Sequence, residues 1–185
     1  MATALLIIDM QNHFVSMTSG SLIPNITKLA SHFRSRSLPL IFTQHGHSKT
    51  ELTPPFRNQL VRKWGPEGSI AKGSAGWELL PEIAALVGGV DSSPVVAKNT
   101  YDGFINTELA RVLEAREVER VVVVGVMTDC CVDTTARGAF NRGFETWVVG
   151  DACASANKRQ HEAGLRGFEY GFGEVVTTSE VLERI

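Results

Sequence analysis

Six short runs of branched apolar residues recur along the chain: Ala4–Ile8, Leu38–Thr43, Val95–Lys98, Val121–Val126, Thr146–Val149 and Glu174–Thr177. Runs this short, without strict polar alternation, read as strands buried on both faces. Between them, Ile26–Arg36, Thr107–Glu117, Val132–Arg142 and Arg159–Tyr170 place apolar residues three and four apart with charges opposite, the pattern of helices that lay one face on a core. Strands alternating with helices require right-handed crossovers and parallel pairing, so the predicted fold is a three-layer α/β domain. In such a fold, functional side chains collect just beyond the carboxyl ends of the strands. One irregular region, from Gln44 to about Gly76, follows the second run and is long enough to read as a lid or pocket wall. No repeat or composition break divides the 185 residues, which read as a single domain, 1–185.

Composition excludes several functions. Eighteen Lys and Arg balance twenty Asp and Glu, with no long like-charge run, so a nucleic-acid partner is not expected. The longest apolar stretch, Val121 to Met127, is far short of the ~20 residues a membrane span needs, so no membrane association is expected. Ala4–Ile8 lacks a basic flank and runs into Asp9, unlike a signal-peptide core, and a cytoplasmic protein is the expectation, with export by another route left open. Three cysteines, two of them adjacent, form neither a disulfide framework nor a C-x-x-C pair, and read as free thiols. Gly68 to Gly73 has the gap of a phosphate-binding loop but continues with Ser74 where Lys is needed, and Gly171-Phe172-Gly173 lacks the third glycine of a dinucleotide fingerprint. No cofactor is expected. Asn25-Ile26-Thr27 is a coincidental match to a glycosylation acceptor.

Three strand ends carry chemistry. Asp9 closes the first run, Lys98 closes the third, and the adjacent Cys130 and Cys131 open the helix after the fourth. A charge placed directly after a buried run needs a partner, and Asp9 and Lys98 suit each other. Read structurally, they are a buried ion pair. With a thiol added, they are also the parts of a nucleophilic site, since a nearby Lys, a carboxylate base and a helix N-terminus all favour removal of the thiol proton. On this reading Cys131 is expected to be the most reactive thiol, although spacing alone leaves Cys130 and Cys131 equivalent.

Leu5-Leu6-Ile7-Ile8-Asp9-Met10-Gln11, Val96-Ala97-Lys98 followed by Phe104, and Gly125-Val126-Met127-Thr128-Asp129-Cys130-Cys131-Val132 with Thr135 resemble the three signature segments of the isochorismatase-like hydrolases. Gly150-Asp151-Ala152-Cys153-Ala154-Ser155 fits as well, so the resemblance covers nearly the whole chain. It implies a Rossmann-like sheet of six parallel strands and an Asp-Lys-Cys triad at Asp9, Lys98 and Cys131, Cys131 being the cysteine followed by Val. It also implies a cis peptide at Val126–Met127 and an oxyanion hole made by the backbone amides of Met127 and Cys131. A small-molecule substrate and a homo-oligomer are expected.

His45-Gly46-His47 falls where the nicotinamidase branch carries an Asp-x-His metal element, but the first ligand is replaced and the next histidine is His161, so no metal is expected. Without a metal to orient a pyridine ring, nicotinamide is disfavoured. His13 and His32 have no motif context, and His161 reads as structural. Asp9-Met10-Gln11-x-x-Phe14-Val15 and Trp64-Gly65-Pro66 resemble the isochorismate branch, whereas a retained Cys131 suits a cysteine amidohydrolase. Hydrolysis of isochorismate to a dihydroxy-dihydrobenzoate and pyruvate is placed first, and a metal-independent amidohydrolase working through a Cys131 acyl-enzyme second. A non-catalytic binding protein is the reading from another class. Phe14, Gln44, Trp64 and Phe104 are the expected pocket wall.

Overall fold

The computed structural model describes residues 1–18, 20–88 and 93–185. Strands β1 (Thr3–Ile8), β2 (Leu40–His45), β3 (Val95–Lys98), β4 (Arg120–Val126), β5 (Glu145–Ala154) and β6 (Glu174–Val176) form one sheet in the order β3-β2-β1-β4-β5-β6. Every pairing is parallel. The helices are α1 (Leu22–Ser35), α2 (Gln59–Trp64), α3 (Pro81–Val87), α4 (Leu109–Glu114), α5 (Asp133–Phe140), α6 (Lys158–Gly171) and α7 (Thr178–Arg184). None of the described helices is long and apolar enough to cross a membrane.

Alternation along the central strands builds two cores. Leu5 and Ile7 of β1 join Val122, Val124 and Phe33 of α1 on one face, while Ala4, Leu6 and Ile8 join Val121, Val123 and Leu113 of α4 on the other. The sheet is thus covered on both sides, as an all-parallel sheet requires. The expectation of burial on both faces fails for β3, whose alternate residues Val95 and Ala97 are exposed because it is an edge strand. That alternation puts Lys98 on the buried side with Val96.

Element ends differ from the periodicity for local reasons. Helix α1 starts a turn early, since Pro24 falls in the first turn, where its missing N–H is not needed. Helix α4 starts late because the Thr107 hydroxyl accepts from Leu109 N (3.2 Å), and ends before Glu117 at φ 51°. Helix α7 carries a capping box, Thr177 with Glu180, whose spacing was present in the sequence. The region from Gln44 to Gly76 is less irregular than expected: β2 runs on to His45, and α2 forms under an Asn58 cap that accepts from Leu60 N at 2.8 Å.

The chain order reverses between β1 and β4, so the crevice at their carboxyl ends is the natural place for a ligand. Gly125 makes that closeness possible. Its φ is +116°, and a Cβ there would lie 2.2 Å from the Ile8 carbonyl oxygen of the neighbouring strand. Gly125→Ala is expected to lower folding stability by about 3 kcal/mol or more, measured by urea unfolding; a variant within about 0.5 kcal/mol of the parent would contradict this packing argument.

Candidate active site

Asp9 follows β1 at φ 48°, a left-handed conformation that Asp adopts more readily than most residues. Its N–H donates to Thr43 Oγ1 of β2 at 3.2 Å, and the Thr43 hydroxyl donates back to Oδ1 at 2.6 Å. Oδ2 lies 2.6 Å from Lys98 Nζ, with both side chains at 0% exposure. Nζ also donates to Thr100 O at 2.9 Å. Burial opposes the charge on Lys98, but Asp9 overrules it and raises its pKa, so the ammonium is retained.

Cys131 sits in a π turn, Thr128–Val132, that leads into α5, and its thiol interacts with both Asp9 and Lys98. The structure therefore brings the three residues together. It corrects one expectation: burial pushes the Cys131 thiol well above the ordinary range despite Lys98, so the resting thiol keeps its proton. The neighbouring Cys130 is raised to about 11, again by burial, with Asp129 adding to it. Cys153 is buried and directed at Val123 O (3.9 Å).

The turn holding Cys131 is braced from α6 and from the end of β5. Asp129 accepts from Ser155 Oγ and from Gln160 Nε2 (3.0 Å), and Thr128 Oγ1 lies 2.8 Å from His161 Nδ1. The Val126–Met127 peptide is cis. Cys130 N and Val132 N both donate to the Met127 carbonyl, at 3.0 and 3.1 Å, and the intervening Cys131 amide does not join them.

A cavity of about 230 Å³ opens above Cys131. Of the expected wall, Phe14 lines it and Trp64 stands at its rim, 53% exposed, donating from Nε1 to the Tyr101 hydroxyl at 2.9 Å; Met127 lines it too. Gln44 and Phe104 do not line it. Gln44 alternates with the cavity-facing His45 on β2 and donates to Trp77 O at 2.9 Å. Phe104 is buried in the second core, stacked on Phe144 at 6.3 Å. Sequence reasoning missed His13 and Met17, which a 3-10 turn (Asn12–Met17) folds over the cavity, as well as Leu60, Ile70 and Tyr101. His45 and His47 also face it. The Gln11 side chain fixes His45 by donating to its carbonyl (2.9 Å) and accepting from its N–H (2.8 Å).

The donor set does not fit a metal. Among the described residues no group of three or more His, Cys, Asp or Glu is disposed to hold an ion. His45 Nδ1 and His47 Nδ1 are both sealed from solvent without a hydrogen-bond partner among the described residues. Burial, reinforced by Lys98, brings His45 down to about 4, so its imidazole is neutral.

A doubly covered parallel sheet with a thiol, a carboxylate and an ammonium at its switch point has the parts of a cysteine hydrolase of α/β type. Residues 3–180 match the isochorismatase domain model, and the chain belongs to that family of hydrolases. It is 39% identical over 173 residues to nicotinamidase 3 of Arabidopsis thaliana, covering 94% of this chain and 83% of that protein. Ureidoacrylate amidohydrolase of Pseudomonas syringae is 29% identical, over 96% of this chain and 81% of its own length. The crystal structure of a cysteine hydrolase from Pseudomonas syringae pv. phaseolicola superposes with a TM-score of 0.84 at 26% identity, covering 99% of this chain and 92% of the other.

Lys98→Met leaves Asp9 buried without its counter-charge and is expected to cost about 3–5 kcal/mol of stability. Adding Asp9→Asn should recover part of that loss. Urea unfolding of the two single variants and the double variant checks this; simple additivity would show that the pair is not energetically coupled.

Proposed function

We propose that the protein hydrolyses a small neutral carboxamide, nicotinamide being the first candidate, through a Cys131 acyl-enzyme. The observation that carries this reading is the chemistry of the cavity wall: among the described residues, none of those lining it is Lys, Arg, Asp or Glu. Isochorismate carries two carboxylates, and ureidoacrylate one. An anion entering a dry pocket needs cationic or multiple amide donors to replace its hydration. The wall is instead largely aromatic and aliphatic, with the neutral imidazoles of His45 and His47, and 230 Å³ suits a single small ring. The likeness to nicotinamidase 3 and to an amidohydrolase supports the same order, which reverses both the one read from the Asp9-Met10-Gln11 and Trp64-Gly65-Pro66 segments and the disfavouring of nicotinamide read from the incomplete Asp-x-His element.

The geometry performs the reaction as follows. Asp9 takes the thiol proton as Cys131 Sγ attacks the amide carbon, so a free thiolate never has to persist in the buried site. The oxyanion is received by the amides of Met127 and Cys131. Asp9 returns the proton to the leaving nitrogen, ammonia departs, and a water activated by Asp9 hydrolyses the thioester. Asp9 then passes the water's proton back to Cys131 Sγ as the acid leaves, and Lys98, 2.6 Å away, balances the carboxylate whenever Asp9 is free of a proton. No step passes through a metal.

After exhaustive chelation, the enzyme should release ammonia from nicotinamide at an unchanged rate and leave isochorismate and ureidoacrylate intact. Asp9→Asn is expected to lose about 10²-fold or more in kcat. Combining it with Cys131→Ala should be little worse than either alone, because the two act as a unit. Faster turnover of isochorismate, or activity lost on chelation and restored by zinc or iron, would overturn the reading.

A further inference from the structure

Glu51 lies in the loop after β2, and the chemistry above does not use it. Its side chain is only 22% exposed, and the basic group facing it is an imidazole. Hydrogen bonds hold its charge. Oε2 accepts from the Ser48 N–H and hydroxyl, both at 2.9 Å, and Oε1 accepts from Asn58 Nδ2 at 3.0 Å and Asn99 Nδ2 at 2.7 Å. Burial would raise its pKa, but these donors bring it to about 2, so Glu51 is a carboxylate at any working pH. The donors tie the loop to the cap of α2, which carries Leu60 and Trp64 of the cavity wall, and to Asn99, the residue after Lys98.

The same Oε1 faces His47 Nδ1 at 3.8 Å. His47 is 1% exposed and lines the cavity. Burial lowers its pKa, with Lys72 and Lys98 adding to the effect and Glu51 opposing it, so the ring is neutral. A neutral imidazole carries one proton, and its surroundings decide which nitrogen holds it. Nδ1 is sealed from solvent in front of a carboxylate, and the ring belongs to a residue that lines the cavity. A proton on Nδ1 is attracted to that carboxylate, and a lone pair there would be repelled. The residue is also held in place: its N–H donates to Ile70 O at 2.8 Å, its carbonyl accepts from Lys72 N at 2.9 Å, and its ring packs edge-on against His45 at 4.9 Å.

We propose that Glu51 is a positioning residue that fixes His47 as the Nδ1–H tautomer, so that Nε2 accepts a hydrogen bond from the N–H of the substrate's amide. The proposal rests on the amidohydrolase reading and deepens it. A lone-pair acceptor in the cavity selects a primary amide over an ester of the same shape, because the ester leaves the acceptor unpaired. It gives this site a means of recognising a carboxamide with its own residues.

The test uses the intact enzyme with nicotinamide and methyl nicotinate as probes, together with long-range proton–nitrogen NMR of labelled histidine, which distinguishes the two tautomers. In the wild type His47 should be Nδ1–H. Glu51→Gln should lose that single tautomer and lower the amide-over-ester ratio of kcat/KM by about tenfold, mainly through KM for the amide. His47→Ala should lower the ratio equally, and Glu51→Asp should restore part of it. An Nε2–H His47 in the wild type, or a Glu51→Gln enzyme that keeps both the tautomer and the ratio, would overturn the proposal. Should Glu51→Gln fail to fold, the wild-type spectrum and the His47→Ala ratio decide. A wild type that hydrolyses no amide overturns the functional reading and the acceptor role with it, whereas one that hydrolyses nicotinamide with His47 as Nε2–H overturns this proposal alone.

Discussion

The site depends on one buried ion pair. Asp9 and Lys98 meet at 2.6 Å with no side-chain exposure, at the ends of two strands that are not neighbours in the sheet. Removing two such charges from water costs several kcal/mol per ion, and their attraction offsets this only where geometry and further hydrogen bonds are good. Thr43 on the intervening strand and the Thr100 carbonyl supply those bonds. The pair also bears on Cys131, whose buried thiol rests protonated beside Asp9, the base of the proposed mechanism. Buried ion pairs are often matched in stability by hydrophobic replacements of similar volume, so stability alone is a weak reason for this one, and the proposed proton transfer supplies another.

The cavity is divided between two kinds of construction. Its floor is backbone architecture: the switch point between β1 and β4, Gly125 pressed against Ile8, and the braced turn carrying Cys131. Its walls are side chains from the 3-10 turn, α2 and the end of β2, held by polar clamps such as Gln11 on His45 and Glu51 on Asn58. The reacting atoms are thus set by the sheet, and the choice of substrate by segments that loop over it.

The strands were legible because burial on both faces of a parallel sheet leaves uninterrupted apolar runs, and Asp9 and Lys98 were legible because each closes such a run, whereas Cys131 was told from Cys130 only by the family resemblance. What the sequence hid follows from the same logic. Helix α2 spans only six residues, too few for the three- and four-residue spacing of Leu60, Val61 and Trp64 to stand out as a period. Phe104 sits in a signature segment yet is core, since an aromatic residue carries no mark of whether it faces a pocket or a packed interior. Glu51 and Tyr101 act through partners far away in sequence, and only the folded chain brings those partners to them.

The central claim is that Cys131 forms a covalent bond with the substrate, with Asp9 moving the proton. Rapid acid quench of the enzyme mixed with a saturating neutral amide, followed by mass mapping of its peptides, tests it most directly. An acyl group is expected on the peptide containing Cys131, appearing before the free acid and decaying as the acid accumulates. Consumption of the amide at full rate with Cys131 unmodified at every quench time would contradict it.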